Sequence, residues 1–290
     1  MSDAVKIVEC PRDAWQALPA QIPAQVKADY LRRLIDAGFT HIDAVSFVSP
    51  AALPQMADAE QVLQLLAPPP GVEIIGIVVN RKGAQRALRT GAVHTLGFPY
   101  STSREFLRRN QNQTQVESLR TLEEIEALAR TEGLSVVAYL SMGFGNPYGE
   151  AWRVEGVVDA CAQLVNCGVK QISLADTVGV ARPERIGETV AAVIAAHDGI
   201  EIGVHLHARP ADGAARIRAA FDAGCRRFDA AIGGLGGCPF AQDALVGNIP
   251  TEVLVATLAE CGAEVPAFAP FDELIRASAE IAGSAGVLAR

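Results

Sequence analysis

The chain holds six cysteines, at positions 10, 161, 167, 225, 238 and 261, yet no Cys-x-x-Cys pair. That spacing counts against a zinc knuckle and offers no disulfide framework, so most of these thiols are expected to be buried. Basic residues are not in excess either: 25 lysines and arginines stand against 33 aspartates and glutamates, a formal net charge of −8. Without a basic footprint, no nucleic-acid partner is expected, and a small anion would need a local positive pocket. No apolar run approaches the roughly 20 residues of a membrane span. The first strand-like segment begins after four residues, which leaves no room for a presequence. A cytoplasmic location with no membrane partner is the expectation. No GxGxxG opens a helix and no P-loop lysine follows a glycine run, which argues against dinucleotide and nucleoside triphosphate chemistry.

What is present is enough for one large core. Half of the 290 residues are apolar and a fifth are charged, the balance of a globular protein, and β/α barrels reach this length as one domain. A weak repeat organises the sequence. Four times a helical pattern ends in a small residue plus glycine and a short apolar strand follows: Ala37-Gly38, Thr90-Gly91, Cys167-Gly168 and Ala223-Gly224. Glycine takes the left-handed cap at low cost and releases the chain into a strand. With strands near Val5–Cys10, Glu73–Val79, Leu134–Leu140 and Ile200–His207 the count reaches eight, alternating with helices, as in an α/β (β/α)8 TIM barrel. The barrel is expected over about residues 5–260 and appended C-terminal helices over about 261–290, all within a single domain. The segments 46–58, 99–113 and 141–154 follow strands and are candidate substrate walls.

The chemistry starts at Ile200-Glu201-Ile202-Gly203-Val204-His205-Leu206-His207. Residues i and i+2 of a strand share a face, so His205 and His207 present two imidazoles side by side. Asp13, after the first strand, reaches the same C-terminal rim if the barrel closes. One carboxylate and two imidazoles suit Mn, Fe, Zn or, with added oxygens, Mg. Such a set also serves non-haem iron oxygenases, although the parallel pattern counts against that reading. Asn248 is a candidate fourth ligand through its carbonyl, or else a turn residue. Arg12 in a barrel mouth reads as an oxyanion stabiliser, or as the structural partner of Asp43 or Asp176. Asp43 and Asp176 are themselves candidates for acid/base or supporting roles. The stretch Gly233-Gly234-Leu235-Gly236-Gly237-Cys238-Pro239-Phe240 reads as a glycine-rich loop able to close and present Cys238, or as a plain turn.

Val5-Lys6-Ile7-Val8-Glu9-Cys10-Pro11-Arg12-Asp13, Ser46-Phe47-Val48-Ser49-Pro50, Pro54-Gln55-Met56-Ala57-Asp58, Asp176-Thr177-Val178-Gly179, Val204-His205-Leu206-His207 and Gly234-Leu235-Gly236-Gly237-Cys238-Pro239 together resemble hydroxymethylglutaryl-CoA lyase, in order, over about residues 5–260. The resemblance implies a barrel binding divalent Mg or Mn, with Zn also compatible, through Asp13, His205, His207 and Asn248. It implies retro-Claisen cleavage of a small acyl-CoA, 3-hydroxy-3-methylglutaryl-CoA, to acetoacetate and acetyl-CoA. Arg12 would stabilise the enolate oxygen, Cys238 would protonate its carbon, and His205 is a candidate base; a homo-oligomer, a dimer, is implied as well. The pattern is not complete. Ala14-Trp15-Gln16 replaces Gly-Leu-Gln, Asp43 replaces glutamate, Ala208-Arg209-Pro210 replaces Asp-Thr-Tyr, and Asn146 takes a frequent cysteine position. The loop from Cys238 to Asn248 is one residue longer. Trp15 is expected to reshape the pocket or its supporting wall and Ala208 to remove a carboxylate beside a metal ligand, which keeps a related 3-hydroxy-3-alkylglutaryl-CoA open as substrate. A condensing enzyme of the isopropylmalate synthase type and a barrel that binds acyl-CoA without turnover are the other readings.

Overall fold

Each short apolar segment can bury two faces only if helices cover one and a closed interior the other. The computed structural model of the protein describes residues 3–236 and 246–286. In it, eight parallel strands close in sequence order. They are β1 (Lys6–Glu9), β2 (His41–Ser46), β3 (Glu73–Ile77), β4 (Thr95–Ser101), β5 (Ser135–Ser141), β6 (Gln171–Asp176), β7 (Glu201–Leu206) and β8 (Arg227–Ala230). Closure is made by β8 against β1, with Lys6 opposite Arg227 and Val8 opposite Asp229. The helices are α1 (Pro11–Trp15), α2 (Ala24–Asp36), α3 (Ala59–Leu66), α4 (Arg81–Thr90), α5 (Arg104–Gln111), α6 (Gln115–Thr131), α7 (Val154–Asn166), α8 (Pro183–Ala196), α9 (Gly213–Asp222), α10 (Thr251–Glu260) and α11 (Asp272–Ser284). The (β/α)8 TIM barrel expected from the repeat is the fold observed.

Local chemistry sets the element ends. At Gly38, Gly91, Gly168 and Gly224 the backbone φ is 103°, 64°, 100° and 98°, so the four glycines do release helices into strands through the left-handed region. Thr114 and Glu117 form a reciprocal capping box on α6, and the side chains of Asn80 and Ser103 cap α4 and α5. β4 runs three residues past the expected Phe98, through Pro99 to Ser101. The proline is tolerated because β3 pairs only as far as Gly97 while β5 continues, leaving a local edge where no amide donor is needed.

Alternation divides the core into two. Ile202, Val204 and Leu206 of β7 pack outward in the large cluster shared with the helices. The interior holds a smaller apolar cluster of Val8, Cys10, Ile75, Ile77, Val137 and Tyr139. Beyond α10, the C-terminal extension contributes one helix among the described residues, α11. The extension lies on the barrel's flank: Phe268 stacks on Phe39 at 4.5 Å, and Ser278 donates to the Ile232 carbonyl at 3.3 Å. No helix of the described residues is long and apolar enough to cross a membrane.

Candidate active site

The strand period brings the histidine pair to the rim as expected. His205 ends the inward face of β7, and His207 follows one step beyond its last residue, Leu206. The third member arrives by a different route from the one expected. Asp13 is not at a strand end but on α1, a short helix led by Pro11 at its first position, where the missing amide hydrogen costs nothing. Asp13 Oδ2 lies 3.9 Å from His205 Nε2 and 4.0 Å from His207 Nε2, and the two Nε2 atoms are 3.1 Å apart. All three residues are buried. Asn248 is held opposite His207 by an isolated antiparallel bridge, with Ala208 N donating to Gly247 O at 3.1 Å.

The donor atoms fit a divalent cation. His207 Nδ1 is 2.8 Å from the Val246 carbonyl, so it carries the proton and leaves Nε2 as a lone pair. His205 Nδ1 lies 3.5 Å from Asp229 Oδ2, which turns its Nε2 toward the same point. Two imidazole lone pairs facing each other repel unless a proton or a metal lies between them. The Asn248 amide nitrogen donates to Asp13 Oδ2 and to Leu235 O, each at 2.8 Å. That leaves its Oδ1 buried with no partner among the described residues, an orphan oxygen that a cation would satisfy. Electrostatics agree with a site for positive charge. Burial pushes the Asp13 carboxyl up, but Arg12, the two histidines and the Asn248 hydrogen bond bring it to about 2. Burial, and then neighbouring His205, push His207 down to about 4, so it is neutral and able to ligate. Burial also works against a charged His205, yet Asp229 and Asp13 hold it above its ordinary value.

Arg12 borders this cluster. Its Nε and Nη2 bond the Asp43 carboxylate, Nε at 3.1 Å, while Nη1 reaches Asp13 Oδ1 at 3.2 Å and Gln16 Oε1 at 3.1 Å. Burial alone would favour the neutral guanidine, but Asp43 and Asp13 hold Arg12 firmly protonated. The two readings of Arg12 are thus compatible: it is paired with Asp43 and it lines the cavity. Asp176 is placed elsewhere. Its carboxylate accepts from Val180 N at 3.0 Å, Ala181 N at 2.9 Å and Arg216 Nη1 at 2.9 Å. It approaches the cluster only through Arg216, which donates to the His207 carbonyl at 2.7 Å.

Above the cluster lies a cavity of about 360 Å³. Ser49, Ala52 and Leu53 from the segment after β2, and Phe106, Asn110, Gln111 and Gln113 from that after β4, wall it as expected. The segment after β5 contributes little beyond Ser141, and Asn146 there orders its own turn, accepting from Tyr148 N at 3.0 Å and Glu150 N at 3.1 Å. Gln16 and Tyr139 are among the lining residues not singled out from sequence as site residues. Gln16 donates to Asp13 Oδ1 at 2.7 Å, and Tyr139 sets its ring edge-on to His205 at 6.0 Å. Trp15 is buried against Tyr30, centroids 5.6 Å apart, and neither it nor Ala208 lines the cavity, so of the two places expected for Trp15 the supporting wall is the one left. The glycine stretch is corrected in part. Gly236, at φ 106°, packs so closely that a Cβ would lie 2.6 Å from Asn248 Nδ2 and 2.9 Å from Asp13 O, so it serves close approach rather than hinge freedom. Cys238 lies outside the described residues.

Comparison with known proteins gives a consistent picture. The chain matches the HMGL-like family over residues 4–280. It is 37% identical over 259 residues to the mitochondrial hydroxymethylglutaryl-CoA lyase of Bos taurus, covering 89% of this chain and 79% of that protein. It is 33% identical to the hydroxymethylglutaryl-CoA lyase of Bacillus subtilis (strain 168), with 86% and 82% covered. Among solved structures, an HMG-CoA lyase of Acinetobacter baumannii in complex with coenzyme A and 3-methylmalate superposes with a TM-score of 0.90 at 32% identity, covering 98% of this chain and 92% of that one.

Proposed function

Because the chain belongs to the HMGL-like family, we propose that it is a divalent-metal-dependent carbon–carbon lyase. It cleaves 3-hydroxy-3-methylglutaryl-CoA to acetoacetate and acetyl-CoA. The observation that carries the reading is the convergence of Asp13, His205 and His207 at a cavity bordered by Arg12. The proposed ligands are these three and Asn248 Oδ1, a hard, oxygen- and imidazole-based set suited to Mg or Mn. A divalent ion held by these residues would supply Lewis-acid polarisation of substrate oxygens.

In the cleavage, the tertiary hydroxyl gives its proton to a base or to water, the C2–C3 bond breaks, C3 becomes the ketone of acetoacetate, the electron pair passes to the thioester enolate, and C2 then takes up one proton to give acetyl-CoA. Arg12 is proposed to stabilise the enolate oxygen. Four of the five N–H groups of a guanidinium are occupied here by Asp43, Asp13 and Gln16, and the fifth, on Nη2, has no protein acceptor among the described residues. Asp43 and Gln16 orient that cation. His205 enters as a ligand rather than as the base, since Nε2 faces the cluster and Nδ1 faces Asp229. Asp176 is proposed to position the His207 backbone through Arg216 rather than to move a proton. Cys238 is kept as the proposed donor to the enolate carbon. A dimeric assembly, implied by the resemblance, belongs to the same proposal, as does a cytoplasmic location, with which the cytoplasmic lyases of Rattus norvegicus and Homo sapiens are consistent, while the lyases of Bos taurus and Gallus gallus are mitochondrial.

The cavity suits the acyl part of such a thioester rather than a whole coenzyme A, in line with pockets of roughly 300–1,000 Å³. The longer 3-alkyl alternative has less support at the cavity surface, because neither Trp15 nor Ala208 lines it. The test is a panel of 3-hydroxy-3-alkylglutaryl-CoA thioesters assayed with Mg and with Mn. The methyl compound is expected to give the highest kcat/KM. A wall discriminates a methylene by ~1–3 kcal/mol, so a preference of about a hundredfold for a longer chain would overturn the acyl assignment.

A further inference from the structure

The barrel interior below the cluster is filled mainly by Val8, Cys10, Ile75, Ile77 and Val137, and yet it also holds a carboxylate. Asp229 sits on β8 in register with His205 on β7. Its side chain has no solvent exposure, and burying a charge without partners is costly. Its partners are specific. Oδ2 accepts from Ser173 Oγ at 2.8 Å and lies 3.5 Å from His205 Nδ1, while Oδ1 lies 3.5 Å from Arg227 Nε. Arg227 itself is buried, two positions earlier on the same inward face, and its stem fills space that any other residue at position 203 would take. A Cβ on Gly203 would come within 2.8 Å of Arg227 Cγ. At its far end Arg227 is 3.6 Å from Glu201. Val8, opposite Asp229 on β1, shows that an apolar side chain is accommodated at this depth of the interior.

The two histidines differ in what faces their outer nitrogens. His207 meets a backbone carbonyl, Val246 O at 2.8 Å, and His205 meets the Asp229 carboxylate. A carboxylate behind an imidazole fixes which nitrogen carries the proton and makes the opposite nitrogen a stronger donor to a metal. We propose that Asp229 is a positioning residue for the metal centre, keeping the His205 proton on Nδ1 and its Nε2 lone pair turned toward the cation, with Ser173 and Arg227 holding the carboxylate in place. This rests on the reading that Asp13, His205 and His207 hold a divalent ion.

The test measures Mn²⁺ dissociation constants without substrate, by the paramagnetic resonance of free Mn²⁺, on the full chain and its variants. Asp229→Asn is expected to weaken Mn²⁺ binding by about tenfold to a hundredfold while circular dichroism and Tm show a folded protein; Ser173→Ala, which keeps the charge, is expected to weaken it less. Asp229→Asn leaves Arg227 buried beside a neutral partner. The double variant Arg227→Met with Asp229→Asn removes both charges, and it carries the same comparison if the single variant does not fold. A folded Asp229→Asn protein, or double variant, that binds Mn²⁺ within about twofold of the parent overturns the proposal, because a carboxylate serving only packing would leave the ion's affinity unchanged. Asp13→Ala separates the two layers of the argument. If that variant binds Mn²⁺ as the parent does, the ligand reading itself has failed, whatever Asp229 does.

Discussion

Two buried arginine–aspartate pairs flank the carboxyl end of the barrel, and one of the two borders the cavity while the other does not. Arg216 gives its guanidinium to Asp176, the His207 carbonyl and the Gly179 carbonyl, and Asp176 in turn takes the amides of Val180 and Ala181. Nothing in that pair faces the cavity. Arg12 is equally well held by Asp43, yet it borders the cavity beside the Asp13, His205 and His207 cluster. Similar chemistry therefore yields two outcomes. Where the guanidinium is turned to backbone carbonyls away from the cavity, the pair fixes a turn; where it borders the cavity with an Nη2 hydrogen that has no acceptor among the described residues, the pair is placed to meet charge on a substrate.

The cluster that the open pair serves is where the largest effect is expected. Asp13→Ala or His207→Ala should abolish both divalent-ion binding and turnover, measured by calorimetry and by acetyl-CoA release, because each removes a proposed ligand. Next, Arg12→Gln should lower kcat by ~10²-fold or more, the loss expected for an oxyanion donor. KM should stay within about an order of magnitude, and a change confined to KM would contradict the role. Arg216→Gln should reverse the pattern. Leaving Asp176 buried without its partner should cost about 3–5 kcal/mol of stability in denaturant unfolding, with a smaller effect on kcat than Arg12→Gln has. Equal effects of the two arginine variants on kcat would erase the distinction drawn here.

The smallest expected effect concerns another sealed group. Glu9 accepts from Ile232 N at 2.8 Å and Thr251 Oγ1 at 2.5 Å, and burial raises its carboxyl from 4.5 to about 8. Between those values the folded chain binds a proton that the unfolded chain has lost, so the Glu9 contribution to stability falls as pH rises from about 4.5 to about 8. Below that window both states are protonated, and above it both are ionised. Glu9→Gln should therefore gain Tm relative to the parent between pH 5 and 8, and a Tm difference that stays flat across this range would contradict the assignment.

The parts of the site legible in the sequence were those with a local period or a repeat. His205 and His207 follow from alternation on one strand, and the barrel follows from helix, glycine and strand recurring in order. Asp13 was legible as a rim residue, although Pro11 signals the helix that actually carries it. Asn248 and Asp229 depend on closure. One reaches the cluster through an isolated bridge to His207 and the other through its register opposite His205, and neither relation leaves a mark in the nearby sequence. Asp176 resembled an acid/base candidate because strand-end carboxylates often are, but its fate is set by Arg216, forty residues away in the chain. Gly236 shows the same limit: a glycine required for close approach and one required for motion look alike until their neighbours are known.

The central claim is that this chain cleaves a carbon–carbon bond with a divalent ion held by Asp13, His205 and His207. Its most direct test is to strip the protein with chelator, supply 3-hydroxy-3-methylglutaryl-CoA, and follow acetoacetate and acetyl-CoA as Mn²⁺ or Mg²⁺ is added back. The account predicts no cleavage without metal and equal amounts of the two products once it is restored. Cleavage at full rate in the metal-free protein, or none at any metal concentration, would contradict it.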